Sequence, residues 1–485
     1  MNRLVHWYDY ITINVYFLGL TTLSQTFGLV FPLLVQMFVG EASKGTYYGI
    51  FRLWTLMVAL LVQAMMGMLS DRSTFRWGRR RPFIFIGTLA DLVFIIAVGF
   101  TVGLEGMSGF WLLFALGILL QISSNTAQGA QQGLIPDLVP EDKRGRFSGV
   151  KAILELPLPL ILVSFTVGKL VSAGNIWGGL LVGIAVIVFA MILTMLVPEQ
   201  PLKVAPPKLD WAPFLRLLVM TGVFTTIILG VGQIVQVVGA WLARLDSPVP
   251  VLFIVVGLLG ILAMGTAVAL GVYLSVRISV GSAARQNPSF TWWVINRLAY
   301  LVGANNLSTF AVYFLQSRLG FEREKAAGPA AILIMFVGIC ILISALPSGW
   351  LADRFGLKRM VALSGFVAAF GTLIALLSPS LPFIYAGGSI IGLATGLFFA
   401  SNWALGTELV PKAEAGRYLG LSNLAGAGAG AVGAYIGGPI ADFFTQYVPQ
   451  VQGLGYVLLF TIYGALFLLS VVALAGIKEP RKSAP

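Results

Sequence analysis

Charge is what this chain has least of. Only 10% of its 485 residues are Asp, Glu, Lys or Arg, against 58% hydrophobic. That balance excludes an ordinary soluble domain. Histidine occurs once, at His6, which argues against a histidine-based metal site or catalytic base. Cysteine also occurs once, at Cys340, so no internal disulfide can form. The glycine-rich run 426–438 is followed by no Lys-Ser or Lys-Thr, so it is no phosphate cradle. Its Gly-x-x-x-Gly spacings suit close helix packing instead. No cofactor, catalytic constellation or nucleotide site is expected, and neither is an enzyme or a primary pump. The net charge of +12 does not point to nucleic acid, because the basic residues sit in short loops between apolar runs.

What is present is long apolar runs. The window 110–136 carries no charge and is long enough to cross a hydrocarbon core. Hydropathy predicts fourteen helices. Six lie near 12–39, 48–70, 82–104, 110–136, 147–172 and 177–197. Two more lie near 214–243 and 249–276. The last six lie near 291–317, 326–352, 360–378, 382–410, 417–443 and 454–477. The first apolar run is too long for a cleavable signal peptide and reads as a retained helix. The proline-rich stretch 198–213 is a natural seam. The expected fold is an all-α integral membrane protein with six-helix bundles at 1–197 and 291–485. A segment at 198–290 carries the two extra helices, which are expected to pack outside the twelve-helix core.

A short charged signal occurs twice, once in each bundle. Gly67-Met68-Leu69-Ser70-Asp71-Arg72 precedes the basic run Arg76-Trp77-Gly78-Arg79-Arg80-Arg81-Pro82. Gly349-Trp350-Leu351-Ala352-Asp353-Arg354 precedes Gly356-Leu357-Lys358-Arg359. A second pair follows: Asp137, Pro140, Gly145 and Arg146 match Glu408, Pro411, Gly416 and Arg417 at the same offsets. Duplicated halves in a membrane chain are the architecture of secondary transporters.

Lysine and arginine placement sets the expected orientation. With the amino terminus inside, the inner loops take Arg3, the arginines of 72–81, the basic cluster 143–151, Lys203, Lys208, Arg285, Lys412, Arg481 and Lys482, among others. The outer loops hold only Lys44, Arg244, Arg318, Arg323 and Lys325. Both termini are therefore expected in the cytoplasm, with the chain in a bacterial inner membrane or a plasma membrane. Two inserted helices preserve the parity that keeps both charged signals inside.

The doubled Gly-x-Leu-[Ser/Ala]-Asp-Arg signal with its basic run resembles the signature loop of the major facilitator superfamily. The stretch Ser70 to Ile84 is similar to the loop of sucrose/proton symporters and their glycoside–cation symporter relatives. Asn125-Thr126-Ala127-Gln128-Gly129, followed by Asp137-Leu138, is similar to their fourth helix. The chain departs from that pattern at Gln131 and Gln132, where plant sucrose carriers have a basic residue nearby, and in its two extra helices. The resemblance implies gating roles for Asp71, Arg72, Gly78 and Arg80, with Asp137 and Arg146 as partners. It implies the same for Asp353, Arg354, Glu408 and Arg417. Carboxylates at helix ends pair with basic groups or helix amino termini, and such contacts bias one access state.

Polar residues inside spans are the candidate solute path. Gln121, Asn125, Gln128 and Gln132 share one helical face by spacing. Asn14, Thr21 and Gln25 recur in the first helix. Asn305, Asn306 and Thr309 lie on the seventh helix of the twelve-helix pattern, and Thr395, Asn402 and Trp403 on the tenth. Amides both donate and accept, which suits a neutral polyhydroxylated solute, and Trp403 can stack on a sugar ring. The bland reading of these amides is glue between helices. Asp91 and Glu155 lie roughly 12–14 Å into their spans. They are the candidate coupling carboxylates, with Arg52 and Arg297 as positive partners. Lys169 and Asp442 fall near outer span ends, where snorkelling explains them. The expected function is alternating-access transport of a sugar or glycoside, coupled to an ion, with H+ the first candidate. The rivals are proton-driven export of amphipathic compounds and a non-transporting receptor or scaffold. The fifth helix lacks the glycine-proline signature seen in many drug/proton antiporters of the superfamily, which weighs against export.

Overall fold

The computed structural model describes residues 6–202, 209–245, 247–281, 287–410 and 415–478, without the side chains of 415–423. The Arg417 side chain therefore lies outside the described residues. So do Arg3, Lys203, Lys208, Arg285, Lys412, Arg481 and Lys482.

Every element among the described residues is helical. This is what a hydrocarbon solvent demands, since a helix satisfies its own backbone groups. A short α1 (Asp9–Thr12) leads into α2 (Val15–Val39). Then come α3 (Lys44–Ser70), α4 (Arg81–Thr101) and α5 (Gly106–Gln131). A five-residue α6 (Leu134–Leu138) and a 3₁₀ turn (Glu141–Lys143) follow. The next span is broken into α7 (Arg144–Glu155), α8 (Pro157–Phe165) and α9 (Val167–Ser172), with α10 (Ile176–Met195) after it. The extra pair is α11 (Ala212–Leu242) and α12 (Val249–Val280). The remainder is α13 (Pro288–Thr309), α14 (Ala311–Leu319), α15 (Ala327–Phe355), α16 (Leu357–Leu377), α17 (Leu381–Leu409), α18 (Ala415–Tyr447) and α19 (Leu454–Ala473).

Thirteen helical stretches among the described residues are long and apolar enough to span a membrane. A fourteenth arises if α13 and α14, bent by 60° at Phe310, form one broken span. All fourteen predicted positions therefore recur, with ends moved by a few residues. Local chemistry sets several of those ends. The Asn175 side chain accepts from Gly178 N at 2.7 Å and caps α10. Asn287 does the same for α13, accepting from Phe290 N. Gly320, in the left-handed region, closes α14. The break between α7 and α8 falls just before Pro157, which cannot donate to the preceding turn.

By contact the chain divides into two compact units. One unit comprises 1–39, 58–214 and 323–335; the other comprises 40–57, 215–322 and 336–485. Two helices are thus shared out: the first part of α3 packs with the second unit, and the start of α15 with the first. In the first unit α2 packs along α10, α5 and the broken α7–α9, and α4 packs along α5 and α10. Ile13, Tyr16, Ile84, Ala127, Leu134, Phe147 and Ile187 belong to its buried core. The Tyr16 hydroxyl shares a 2.6 Å hydrogen bond with Thr88 and ties α2 to α4. In the second unit α13 packs on α17, α18 and α19, and α16 on α17 and α19. The extra helix α12 lies against α13, α18 and α19. Phe224 of α11 fills the space beside Gly271 of α12 and Gly428 of α18.

Candidate functional site

The first charged signal folds into a hub around Arg80, which is 4% exposed. Its Nε donates to Asp137 Oδ2 at 2.9 Å and its Nη1 to Ser70 Oγ at 2.7 Å. Its Nη2 pairs with Asp71. Arg79 also pairs with Asp137. One planar guanidinium thus joins the end of α3, the start of α4 and the short α6, using the fork geometry only arginine has. The Arg80 backbone N–H donates to both oxygens of Glu199, at 2.8 and 2.9 Å, and Arg81 N–H to Oε2 at 3.1 Å. Glu199 therefore caps α4, placing a carboxylate on a helix amino terminus. Sequence reasoning missed it, because nothing in a local pattern links positions 119 residues apart. Gly78 makes this approach possible: its φ is +123°, and a Cβ there would run into the Glu199 carboxylate.

The other gating candidates are placed differently. Arg72 is half-buried at the end of α3. Arg146 is exposed, and the Asp137 partners are Arg79 and Arg80 instead. Arg144 bonds the carbonyls of Val139 and Pro136. In the second copy Asp353, Arg354 and Glu408 are exposed. Arg354 lies over the rings of Trp350 and Phe355, and Lys358 donates to the Ile477 carbonyl at 2.7 Å. Among the described residues, Asp353 and Glu408 enter no ion pair.

A second ionic cluster lies at the opposite end of α3. Asp442 of α18 is 2% exposed and accepts from Gly45 N at 3.0 Å and Thr46 N at 2.6 Å. Lys44 beside it is fully buried. It pairs with Glu41, donates to Gln316 Oε1 at 2.9 Å and lies over the rings of Tyr313 and Tyr456. Snorkelling, expected for Asp442, does not describe it: the carboxylate is consumed in capping a helix. Lys169 fits the expectation better, exposed above the Phe165 ring.

In the first unit the amide stripe of α5 runs from half-buried Gln121 to exposed Gln132. Asn125 donates to the Gln121 side chain at 3.0 Å, and Gln128 between them is half-buried. Gln25 lies beside Leu160, Ser164 and Ala331. Asn14 and Gln131 are fully buried and bond backbone carbonyls of Phe147 and Ile13, which is the glue role. Asp91 is fully buried and accepts from the Ser123 hydroxyl and, at 2.8 Å, from Ser124. Glu155 ends α7 at the break before Pro157, half-exposed, with Lys151 at 3.6 Å. Lys151 Nζ sits 4.3 Å from the centre of the Phe17 ring on α2.

In the second unit Asn306 is fully buried and donates to the Val302 and Ala429 carbonyls, so it too is packing glue. Asn305 is half-buried and donates to the Gly426 carbonyl. Arg297 donates to Asn402 Oδ1 at 2.9 Å. Asn402 donates to Asn296 Oδ1 at 2.8 Å, and Asn296 to the Ser470 carbonyl at 2.7 Å. The rings of Trp293 and Trp403 flank the guanidinium at 5.8 and 5.6 Å. Neither Arg297 nor Arg52 has a carboxylate partner among the described residues, and each has a buried Nε with no acceptor.

Residues 292–485 match the model of the Major Facilitator Superfamily. The chain is 33% identical over 107 residues to the sucrose transport protein SUC3 of Arabidopsis thaliana, covering 19% of this chain and 18% of that protein. It is 31% identical over 213 residues to the probable galactarate/D-glucarate transporter GudP of Bacillus subtilis (strain 168), covering 41% and 43%. These matches span less than half the length of either relative. The solved nucleoside transporter NupG superposes with a TM-score of 0.63 at 12% identity, over 96% of this chain and 98% of that one. The chain is a multi-pass membrane protein with the major facilitator fold, and it resembles sugar carriers of that superfamily over parts of its length.

Proposed function

We propose that this chain is an alternating-access carrier of a sugar, glycoside or related polyol, driven by a coupled ion, with the proton as the coupling ion. The observation that carries this is the pair of polar networks inside apolar spans. The partly open amide stripe Gln121–Gln132 lies in one unit, and the Asn296–Asn402–Arg297 chain beside Trp403 in the other. Buried polar groups in a bilayer are costly, and amides, in one unit beside an aromatic face, suit a polyhydroxylated ligand. The names of the partial relatives, a sucrose transport protein and a probable galactarate/D-glucarate transporter, support the same solute class. The basic residues of the Asp71–Arg80 hub and of 143–151 support cytoplasmic termini in a plasma or bacterial inner membrane.

The test is solute uptake by proteoliposomes, using labelled disaccharides, monosaccharides and sugar acids, with and without an imposed pH gradient. Gradient-driven accumulation of at least one sugar-class solute is expected. Movement of amphipathic dyes only, or of nothing, would overturn the reading. Accumulation that follows sodium rather than pH would keep the carrier and replace the ion.

A further inference from the structure

Among the described residues, Arg297 is a cation without a counter-ion. It lies nine residues into α13, roughly 13 Å from that helix end. A lone charge at that depth is expensive, and proteins keep one there when it meets an anion or water in the working cycle. Its surroundings are rigid. Asn402 cannot turn its oxygen away, because its amide NH₂ is engaged by Asn296, which is itself held by the Ser470 carbonyl. Trp293 is fixed through its indole N–H, which donates to the Asn402 carbonyl at 2.8 Å. One hydrogen bond from Nη1 is what the guanidinium makes among the described residues, and its buried Nε has no acceptor.

The site adjoins the protein surface. Phe399, Trp403 and Thr407 follow one another at four-residue intervals on α17 and are all exposed. Trp403 is 43% exposed, so one ring both flanks Arg297 and forms part of the protein surface. Ile295 points about 200° away from Arg297 around α13, and it lines a groove against α12. The arginine therefore does not belong to the face packed on the extra helix.

Resting on the carrier reading above, we infer that Arg297 receives a carboxylate of the solute, so that the solute is an acidic sugar of the uronate or uronide class. A guanidinium offers two parallel N–H donors to a carboxylate, and the Trp403 face offers a stacking surface to the attached ring. A single arginine suits a monoanion better than a phosphate ester, which carries nearly two charges at neutral pH.

Ligand-induced thermal stabilisation of the purified full chain tests this without requiring transport. The probes are methyl β-D-glucuronide, methyl β-D-glucoside and glucose 6-phosphate. The expected result is a midpoint shift with the glucuronide at concentrations at least tenfold below those needed for the other two. Arg297→Gln should abolish that preference. Asn402→Asp should abolish it as well, because it places a carboxylate beside Arg297, though it also removes the donor to Asn296; Trp403→Ala, at a residue 43% exposed, removes the stacking face and should weaken the glucuronide shift, which keeps the test decisive if the two buried variants do not fold. Equal shifts with glucoside and glucuronide, no shift with glucuronide, or a stronger shift with glucose 6-phosphate would overturn the assignment. Failure of the carrier reading shows separately: the glucuronide would bind with the stated preference while proteoliposomes accumulate no solute.

Discussion

The Asp442 carboxylate caps the first turn of the helix that begins at Lys44, one oxygen on Gly45 N–H and the other on Thr46 N–H. The first N–H groups of any helix lack partners within it, and a buried pair left bare costs a full desolvation penalty. The geometry is tight, since a Cβ on Gly45 would meet the Gly438 carbonyl at 2.7 Å. The far end of the same helix meets the Arg80–Asp71 pair, so each end of α3 is held by a charged contact.

Asp442→Ala should destabilise the detergent-solubilised protein by about 1–2 kcal/mol, the usual range for a charged cap. Asp442→Asn, which keeps one acceptor, should recover part of the loss. Thermal unfolding followed by tryptophan fluorescence checks this. An unchanged midpoint in the alanine variant would mean that the two N–H groups find water without cost.

Gly78 sits at φ +123° against Glu199, so Gly78→Ala combines backbone strain with a clash. Strain of this kind costs about 1–3 kcal/mol. Gly145 supplies the control, because a Cβ there meets nothing within 4 Å. Gly78→Ala should lower the unfolding midpoint and transport together, and Gly145→Ala should change neither. Equal behaviour of the two variants would falsify the Glu199 cap as a structural constraint.

The two copies of the charged signal should differ in weight. Arg80 satisfies Asp71, Asp137 and Ser70 together, and lysine cannot reproduce that fork. Arg80→Lys and Asp71→Asn should each lower transport at least tenfold at equal membrane expression. Asp353→Asn should stay within about twofold of the parent, since exposed charges contribute little. Uptake rates normalised to surface expression decide it. A loss at Asp353 as large as at Asp71 would show that the second copy forms an equivalent hub in another state.

Membrane spans were legible because the signal is local: roughly twenty apolar residues carry it on their own. Asp71, Arg80 and Asp137 were legible because a repeated motif named them. Glu199, Lys44 and Asp442 were not, since their partners lie far along the chain and no periodicity joins them. Amides were legible as polar but not as roles. Asn306 and Asn402 look alike in sequence, yet one bonds only backbone carbonyls and the other orients Arg297.

The two mid-span carboxylates separate by environment, and they should separate by phenotype. Asp91 is fully enclosed between α4 and α5, with two serine hydroxyls donating to it. A buried carboxylate whose oxygens already accept hydrogen bonds is a poor ion carrier and a good packing element. Glu155 is half-exposed, ends a helix at a proline break and holds Lys151 only loosely at 3.6 Å. Protonating it would release that lysine and remove one ionic contact from a segment already broken. Glu155→Gln is therefore expected to abolish accumulation against a gradient while leaving solute counterflow intact, because exchange needs no proton release. Asp91→Asn should keep its pH dependence but lower the unfolding midpoint, as one serine loses its charged acceptor. Both variants go through two assays, pH-driven accumulation and counterflow in proteoliposomes, with thermal unfolding alongside. Uncoupling in Asp91→Asn with a normal midpoint would reverse the assignment. Normal pH-driven accumulation in both variants would remove the proton from either carboxylate.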